Sequence, residues 1–265
     1  MFPREVASSL IQHADKILIL YFLSPTAVGI YAVVYSVTKL LRTMAGTMNS
    51  TLYPTVSALW DDADDDSLVQ LYNQINRWAV LLGVPAIAGL VFIAHPVIRL
   101  LSTAEIATVG IEFVPVLAIG FAISGYSMPL VYILTADEET TKLGGINIFA
   151  AGINIGLNIL LIPRMGLMGA ALATAIAQII IAGYIAYHAR QRVKFSLPAR
   201  PFIISVAGTA VMIGVLMVMP APSLRVAQVI VYPLFGILLY FSLVVLLGAT
   251  SRSDLTGVIR AIRSD

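Results

Sequence analysis

The chain has 265 residues, 59% of them hydrophobic and only 11% charged, with a formal net charge of +2. Its mean hydropathy is +0.92, whereas water-soluble globular chains are about half apolar and about a quarter charged; a soluble fold is excluded and an integral membrane protein is indicated. No cysteine occurs, which removes disulfides, thiolate catalysis and cysteine metal sites.

Each helical span needs ~20 residues, so the length accommodates about eight. Apolar runs place them at Ala7 to Leu23, Thr26 to Met48, Trp78 to Ala94, Gly110 to Thr135, Leu143 to Ile162, Leu167 to His188, Pro201 to Met219 and Val226 to Leu247. The fold class expected is therefore all-α, a polytopic membrane helical bundle. The N-terminus does not read as a cleavable signal, since Met1 to Val6 carries both Arg4 and Glu5 and no small-residue cleavage site follows.

An even number of spans puts both termini on one side. That side holds Arg4, Lys39, Arg42, Arg77, Lys142, Arg190, Arg192, Lys194, Arg200, Arg252, Arg260 and Arg263, against Arg99, Arg164 and Arg225 on the other, and leaving out Lys39 and Arg42 does not change the balance. Basic residues concentrate on the cytoplasmic side of a membrane, so a multi-pass protein of the cytoplasmic membrane with both termini cytoplasmic is expected. The acidic run from Asp61 to Asp66 does not oppose this, because acidic residues contribute little to orientation. It reads as a solvated loop and helix start, Asp being favoured in a first turn. After it, Leu68, Leu71, Tyr72 and Ile75 mark an amphipathic helix over Ser67 to Arg77 that runs into the third span.

The first two spans, joined by the turn Leu23-Ser24-Pro25-Thr26, carry charges where lipid is least hospitable: Asp15, Lys16, Lys39 and Arg42. A charge at the bilayer centre costs about 2.5–3.5 kcal/mol on insertion scales, so such groups usually face a bundle interior or a wet cavity. On the second helix Tyr31, Tyr35, Lys39 and Arg42 stand at i, i+4, i+8 and i+11, one stripe. On the first, Ser9, Gln12 and Lys16 form another, with His13 and Asp15 beside them. At ~1.5 Å per residue Lys16 lies ~10 Å and Lys39 ~20 Å below the connecting turn, within reach of long side chains. The hairpin is thus the candidate transport site.

The fifth span aligns Asn147, Asn154 and Asn158 on one face and sets Gly152 and Gly156 at GxxxG spacing on another. The glycines read as a site of close helix approach. The amides fit two readings equally, helix-joining hydrogen bonds or a row lining a sugar path. Thr174 and Gln178 read as helix contacts, and Pro163 with Gly166 as a tight turn. The last two spans contain no charge between Pro201 and Leu247 except Arg225, and read as packing or lipid-facing helices.

Enzymatic chemistry finds no support in the pattern. There is no His/Asp/Glu cluster at metal spacing, no GxSxG and no Gly-rich loop after a strand. The acidic residues gather only at 61–66 and at Asp137, Glu138 and Glu139, with no histidine in either run. No enzyme activity, cofactor, metal or nucleic-acid partner is expected.

The segments Ala14-Asp15-Lys16-Ile17-Leu18, Val28-Gly29-Ile30-Tyr31-Ala32-Val33-Val34-Tyr35 and Leu52-Tyr53-Pro54 resemble the start of the second lobe of polysaccharide flippases of the O-antigen translocase type. These belong to the multidrug, oligosaccharidyl-lipid and polysaccharide exporter superfamily. The run from Ile162 through Gly166, Gly169, Ala170 and Ala171 to Thr174 is similar to a turn and helix of the same family. The resemblance covers about Ser9 to Arg192. It implies a carrier that moves a polyprenyl-linked oligosaccharide across the cytoplasmic membrane through a cationic cavity between two six-helix lobes. Lys16, Lys39 and Arg42 would then attract the pyrophosphate or acidic sugars, with Asp15 balancing them and Tyr31, Tyr35, Asn154 and Asn158 lining the path. It also implies a second transporter lobe of six spans over 1–190, followed over 191–265 by a basic connection, two extra spans and a tail. Because only one lobe is present, a truncated member is expected, with a missing N-terminal lobe or a second copy closing the cavity. Two other readings stand beside this one: a small-molecule or drug exporter of the same superfamily, against which the basic stripe counts, and a non-transporting membrane fragment.

Overall fold

The computed structural model describes residues 14–50, 53–62, 64–136, 140–196, 198–220, 222 and 224–248. Ser9, Gln12 and His13 of the expected first stripe, and the acidic group 137–139, lie outside the described residues. Helix α1 covers 14–22, and Ser24 starts the next helix: its hydroxyl accepts the Ala27 amide at 3.1 Å while Pro25 occupies the first helical position, where its missing N–H costs nothing. The remaining helices are α2 (Pro25–Ser50), α3 (Tyr53–Asp61), α4 (Asp65–Leu101), α5 (Ala104–Gly110), α6 (Val114–Ala136), α7 (Thr140–Met165), α8 (Leu167–Arg192), α9 (Ala199–Val218) and α10 (Arg225–Leu246). No strand occurs among the described residues.

Six of these, α4 and α6 through α10, are long and apolar enough to cross a membrane. The chain is a multi-pass membrane protein with an all-helical fold. The first two of the eight expected spans are not in that set of six; α2 is 26 residues long but carries the polar stripe. Two short helices, α3 and α5, were not expected from the periodicity. The amphipathic segment and the third span are one helix of 37 residues, ~55 Å long at ~1.5 Å per residue, well beyond a ~30 Å hydrocarbon core. Asp64 caps it, accepting the Ser67 amide at 3.0 Å, and these bonds hold its carboxyl below its ordinary pKa. The acidic run is a helix start, as its composition indicated.

The packing has three centres. One joins α1, α2, α5 and the start of α6 to the far half of α4, through Ile19, Tyr31, Val34, Ala94, Ile98 and Phe121. A second, at the other end, gathers Leu68 and Tyr72 of α4, Leu130 and Ile133 of α6 and Ile185 of α8. It is closed by the connection after α8, where Val193 and Phe195 turn inward. Asn73 accepts the Ser196 amide at 2.7 Å, and Asn76, bonded to the Tyr126 hydroxyl at 2.9 Å, faces the Ser196 carbonyl. The third centre sets Leu81 of α4 against Met212, Leu216, Tyr232 and Tyr240 of α9 and α10.

Gly166 makes the α7–α8 turn with a φ of 58°, a conformation open to glycine at little cost; Pro163 falls in the last turn of α7 rather than in the connection. Three residues on, a Cβ at Gly169 would stand 2.5 Å from the Leu161 carbonyl oxygen, so the two helices touch backbone to backbone. Gly152 and Gly156 have open space where a Cβ would go. The close approach expected of them is made instead by Gly169, because α7 turns its Asn158 and Ile162 face inward. Overpacking such a contact costs about 1–3 kcal/mol, so Gly169→Val is expected to lower the thermal midpoint in detergent while Gly152→Val leaves it unchanged. Equal midpoints for the two variants would contradict the packing described.

Candidate functional site

The hairpin of α1 and α2 brings its basic residues together around one ring. The Lys16 ammonium lies 5.7 Å from the centre of the Tyr35 ring and that of Lys39 lies 5.9 Å from it. Arg42, one turn further along α2, is close enough to act electrostatically on the same tyrosine. An aromatic face attracts cations by ~0.5–1 kcal/mol at exposed sites and more when desolvated, which offsets part of the repulsion between two ammonium groups. Lys16, Tyr35 and Arg42 are half-buried and Lys39 is exposed. The face they share is open at Lys39; elsewhere on the same two helices Leu20, Leu40 and Met44 are exposed and Tyr21 is 80% exposed.

Beneath this face runs a buried polar chain. Tyr31 is fully enclosed, and its hydroxyl meets the Thr174 hydroxyl of α8 at 2.9 Å. It also has the Asp15 carboxylate within hydrogen-bonding reach. Asp15 is itself only 6% exposed and accepts the Lys16 amide at 2.9 Å. A carboxylate at this depth persists only with partners, and here it joins α1 to α2 and, through Tyr31, to α8. Tyr31 therefore belongs to the interior rather than to the open stripe. The i, i+4 spacing sets the angle between Tyr31 and Tyr35 correctly, but α8 and Phe113, whose ring lies 6.2 Å from that of Tyr31, cover the first and not the second.

The asparagines of α7 are elsewhere. The Asn158 amide donates to Asn154 at 3.0 Å, Asn158 is wholly buried, and Asn147 bonds the Leu143 carbonyl at 2.6 Å on the outside of the helix. These bonds stay within α7, so they do not join helices as an interhelical ladder would. Thr174 is a helix contact, as expected.

A residue missed from sequence, Gly125 of α6, sets the position of the whole stripe. A Cβ there would fall 2.9 Å from the Ala45 Cβ and 3.4 Å from the Arg42 Cα; α2 rests on α6 backbone at the level of Arg42. The missed signal was the spacing of small residues around Gly125, with Gly120, Ala122 and Ser124 just before it and Ser127 just after. Among the described residues no group of three or more His, Cys, Asp or Glu side chains gathers where a metal could be held. What the arrangement offers is a set of cationic donors on an open face, fixed from behind: ammonium groups as point charges and a guanidinium as a planar fork, the donor set suited to phosphate oxygens.

The Tyr31–Thr174 bond is expected to couple the two residues energetically. A double-mutant cycle of Tyr31→Phe and Thr174→Val, read by unfolding in mixed micelles, should return about 0.5–1.5 kcal/mol. Strict additivity would contradict the bond.

Comparison with known proteins agrees with the motifs. Residues 1–109 match a family model described as polysaccharide biosynthesis protein. The chain is 24% identical over 165 residues to a probable flippase, AglR, of Haloferax volcanii, covering 62% of this chain and 34% of that protein. It is 22% identical over 254 residues to the probable low-salt glycan biosynthesis flippase Agl15 of the same organism, covering 94% of this chain and 53% of that one. In fold it superposes on a lipid II flippase, MurJ, in an inward closed conformation, with a TM-score of 0.71 at 19% identity over 88% of this chain and 50% of MurJ. The chain thus spans about a third to a half of the length of the relatives it matches. The resemblance to the polysaccharide and lipid-linked glycan flippases is borne out.

Proposed function

We propose that this chain, a relative of the polysaccharide and lipid-linked glycan flippases of the multidrug, oligosaccharidyl-lipid and polysaccharide exporter superfamily, forms one half of a transporter that flips a lipid-linked oligosaccharide across the cytoplasmic membrane. The observation that carries this reading is the basic group on an open face: Lys16 and Lys39 over Tyr35, with Arg42 alongside. Lys39 and Arg42 attract the phosphate or acidic sugar portion, Lys16 completes the field from α1, and Tyr35 offers a flat surface to a sugar ring. Asp15 and Tyr31 act from behind, holding α1 and α2 in register. Asn154 keeps a secondary place as a wall residue of the α7 side, with Asn158 bonded behind it.

In this reading residues 1–190 form a transporter lobe, and 191–265 a basic connection with two added helices and a tail. Both termini are cytoplasmic. Eight spans result if α1 and α2 cross the membrane as a pair, their charges facing the groove and not the acyl chains. The exposed apolar residues of the same two helices, Ile17, Leu20, Tyr21, Leu40 and Met44, are open to a second lobe, supplied by the same polypeptide or by a second copy. An anionic headgroup then passes between two halves while its lipid stays in the bilayer.

Lys39→Ala combined with Arg42→Ala, introduced in the complete protein, is expected to abolish surface polysaccharide at an unchanged membrane level of the protein. Lys39→Arg should preserve it. Normal surface polysaccharide in the double variant removes the role assigned to these residues.

A further inference from the structure

The α9–α10 pair contains no basic residue within its membrane-depth portion and looked chemically quiet in sequence, yet it holds a specific polar joint with α4. Pro85 lies inside α4 and has no N–H, so the carbonyl of Leu81, four residues before it, lacks its in-helix donor. The Tyr240 hydroxyl of α10 donates to that carbonyl at 2.7 Å. Ser205 of α9 lies 2.8 Å from the Tyr240 hydroxyl and 3.2 Å from the Val80 carbonyl. With the Tyr240 proton committed to Leu81, the Ser205 proton is shared between Val80 and Tyr240. Both side chains are buried, Ser205 at 0% and Tyr240 at 1% exposure. In a medium without water each unsatisfied backbone group costs several kcal/mol, so the position of this hydroxyl opposite this carbonyl is energetically specific.

The joint sits where α4 is weakest. Gly83 and Gly89 flank Pro85 and have open space around them, and proline with neighbouring glycine is where helices bend. The two halves of α4 serve different centres. Leu68 and Tyr72 pack with α6, α8 and Phe195, whereas Ala94 and Ile98, with Leu90, Val91 and Val97, pack under Ile19, Tyr31 and Val34 of the hairpin. The α9–α10 pair spans the join, its core taking Trp78 and Leu81 on one side and Phe92 and Ile93 on the other; the Phe92 and Tyr232 rings meet edge to face at 5.2 Å.

We propose that Tyr240 and Ser205 are positioning residues that make the α9–α10 pair a splint across a hinge in α4 at Pro85, holding the far half of α4 beneath the basic hairpin. Bending at Pro85 tilts the floor on which Tyr31 and Val34 rest, and the splint holds the floor in the arrangement described here. Release of the Tyr240 hydroxyl from Leu81 frees the hinge. The added helices thereby act on the hairpin without touching it.

These 265 residues include no cysteine, so a spin-label pair can be placed cleanly on the exposed positions Gln70 and Leu100 of α4, ~45 Å apart along the helix at ~1.5 Å per residue. In lipid nanodiscs the labelled protein is expected to give one narrow distance distribution. Tyr240→Phe, which keeps the ring and removes the donor, should broaden it toward shorter distances, and Ser205→Ala should do so less. Adding Pro85→Ala to Tyr240→Phe restores an in-helix donor to Leu81 and should return the narrow distribution. A distribution unchanged by Tyr240→Phe overturns the proposal, as does a broadening that Pro85→Ala fails to reverse, which would assign Tyr240 to packing alone. Because the measurement needs no substrate, its failure leaves the glycan assignment standing, and loss of the glycan assignment leaves the hinge standing.

Discussion

Two ammonium groups can share a small volume only if something receives them, and in this protein the Tyr35 ring does so. The rest of the bundle follows from keeping that ring and its cations in place. A full ion pair would satisfy the lysines more completely, but it would also consume the charge that an anionic ligand has to find. A π face binds more weakly, a cation gaining only ~0.5–2 kcal/mol from it, and so holds the cations in position while leaving their field available. The acidic partner sits one layer behind, with Asp15 turned to Tyr31 and to the α1 backbone.

Such an arrangement demands a rigid back. The three helices under the hairpin provide it by close approach: α2 on α6 at Gly125, α6 on α8 at Gly120, where a Cβ would fall 2.8 Å from the Ala175 Cα, and α7 on α8 at Gly169. Lipid tails are as apolar as leucine, so helices in a bilayer gain little from burying apolar surface and associate through backbone contact and hydrogen bonds instead. The polar bonds are few and bridge distant segments: Tyr31–Thr174 joins α2 to α8 at one end, and Tyr126–Asn76–Ser196 ties α6 and α4 to the connection after α8 at the other.

The amount that could be read from the chain varies with the kind of interaction. The α1–α2 turn was legible, because Ser24 and Pro25 are local signals for a helix start, and so were α4 through Arg77 and the acidic cap, whose periodicity and composition are local as well. The stripe Tyr31–Tyr35–Lys39–Arg42 was legible as an angle on a helix. Its division into a buried Tyr31 and an open Lys39 was not, since that depends on α8 arriving with Thr174 from 143 residues away. The glycines of α7 misled for the same reason: spacing identifies a smooth face but not whether a neighbour comes to it. The α9–α10 joint was invisible as a pattern of charge, although Pro85 alone marks Leu81 as a carbonyl in need of a donor. The short helices α3 and α5 lie below the length at which periodicity is informative.

The central claim is that the basic residues of the hairpin face water and not acyl chains. Lys16→Cys, Lys39→Cys and Arg42→Cys, each made in this cysteine-free chain, can be exposed in sealed membranes to a membrane-impermeant, negatively charged thiol reagent, with Phe202→Cys on the outer face of α9 as the reference. Rapid modification at all three hairpin positions and none at Phe202 is the result that follows from a wet cationic groove. Labelling of the three no faster than that of Phe202 would place them in lipid and contradict the account.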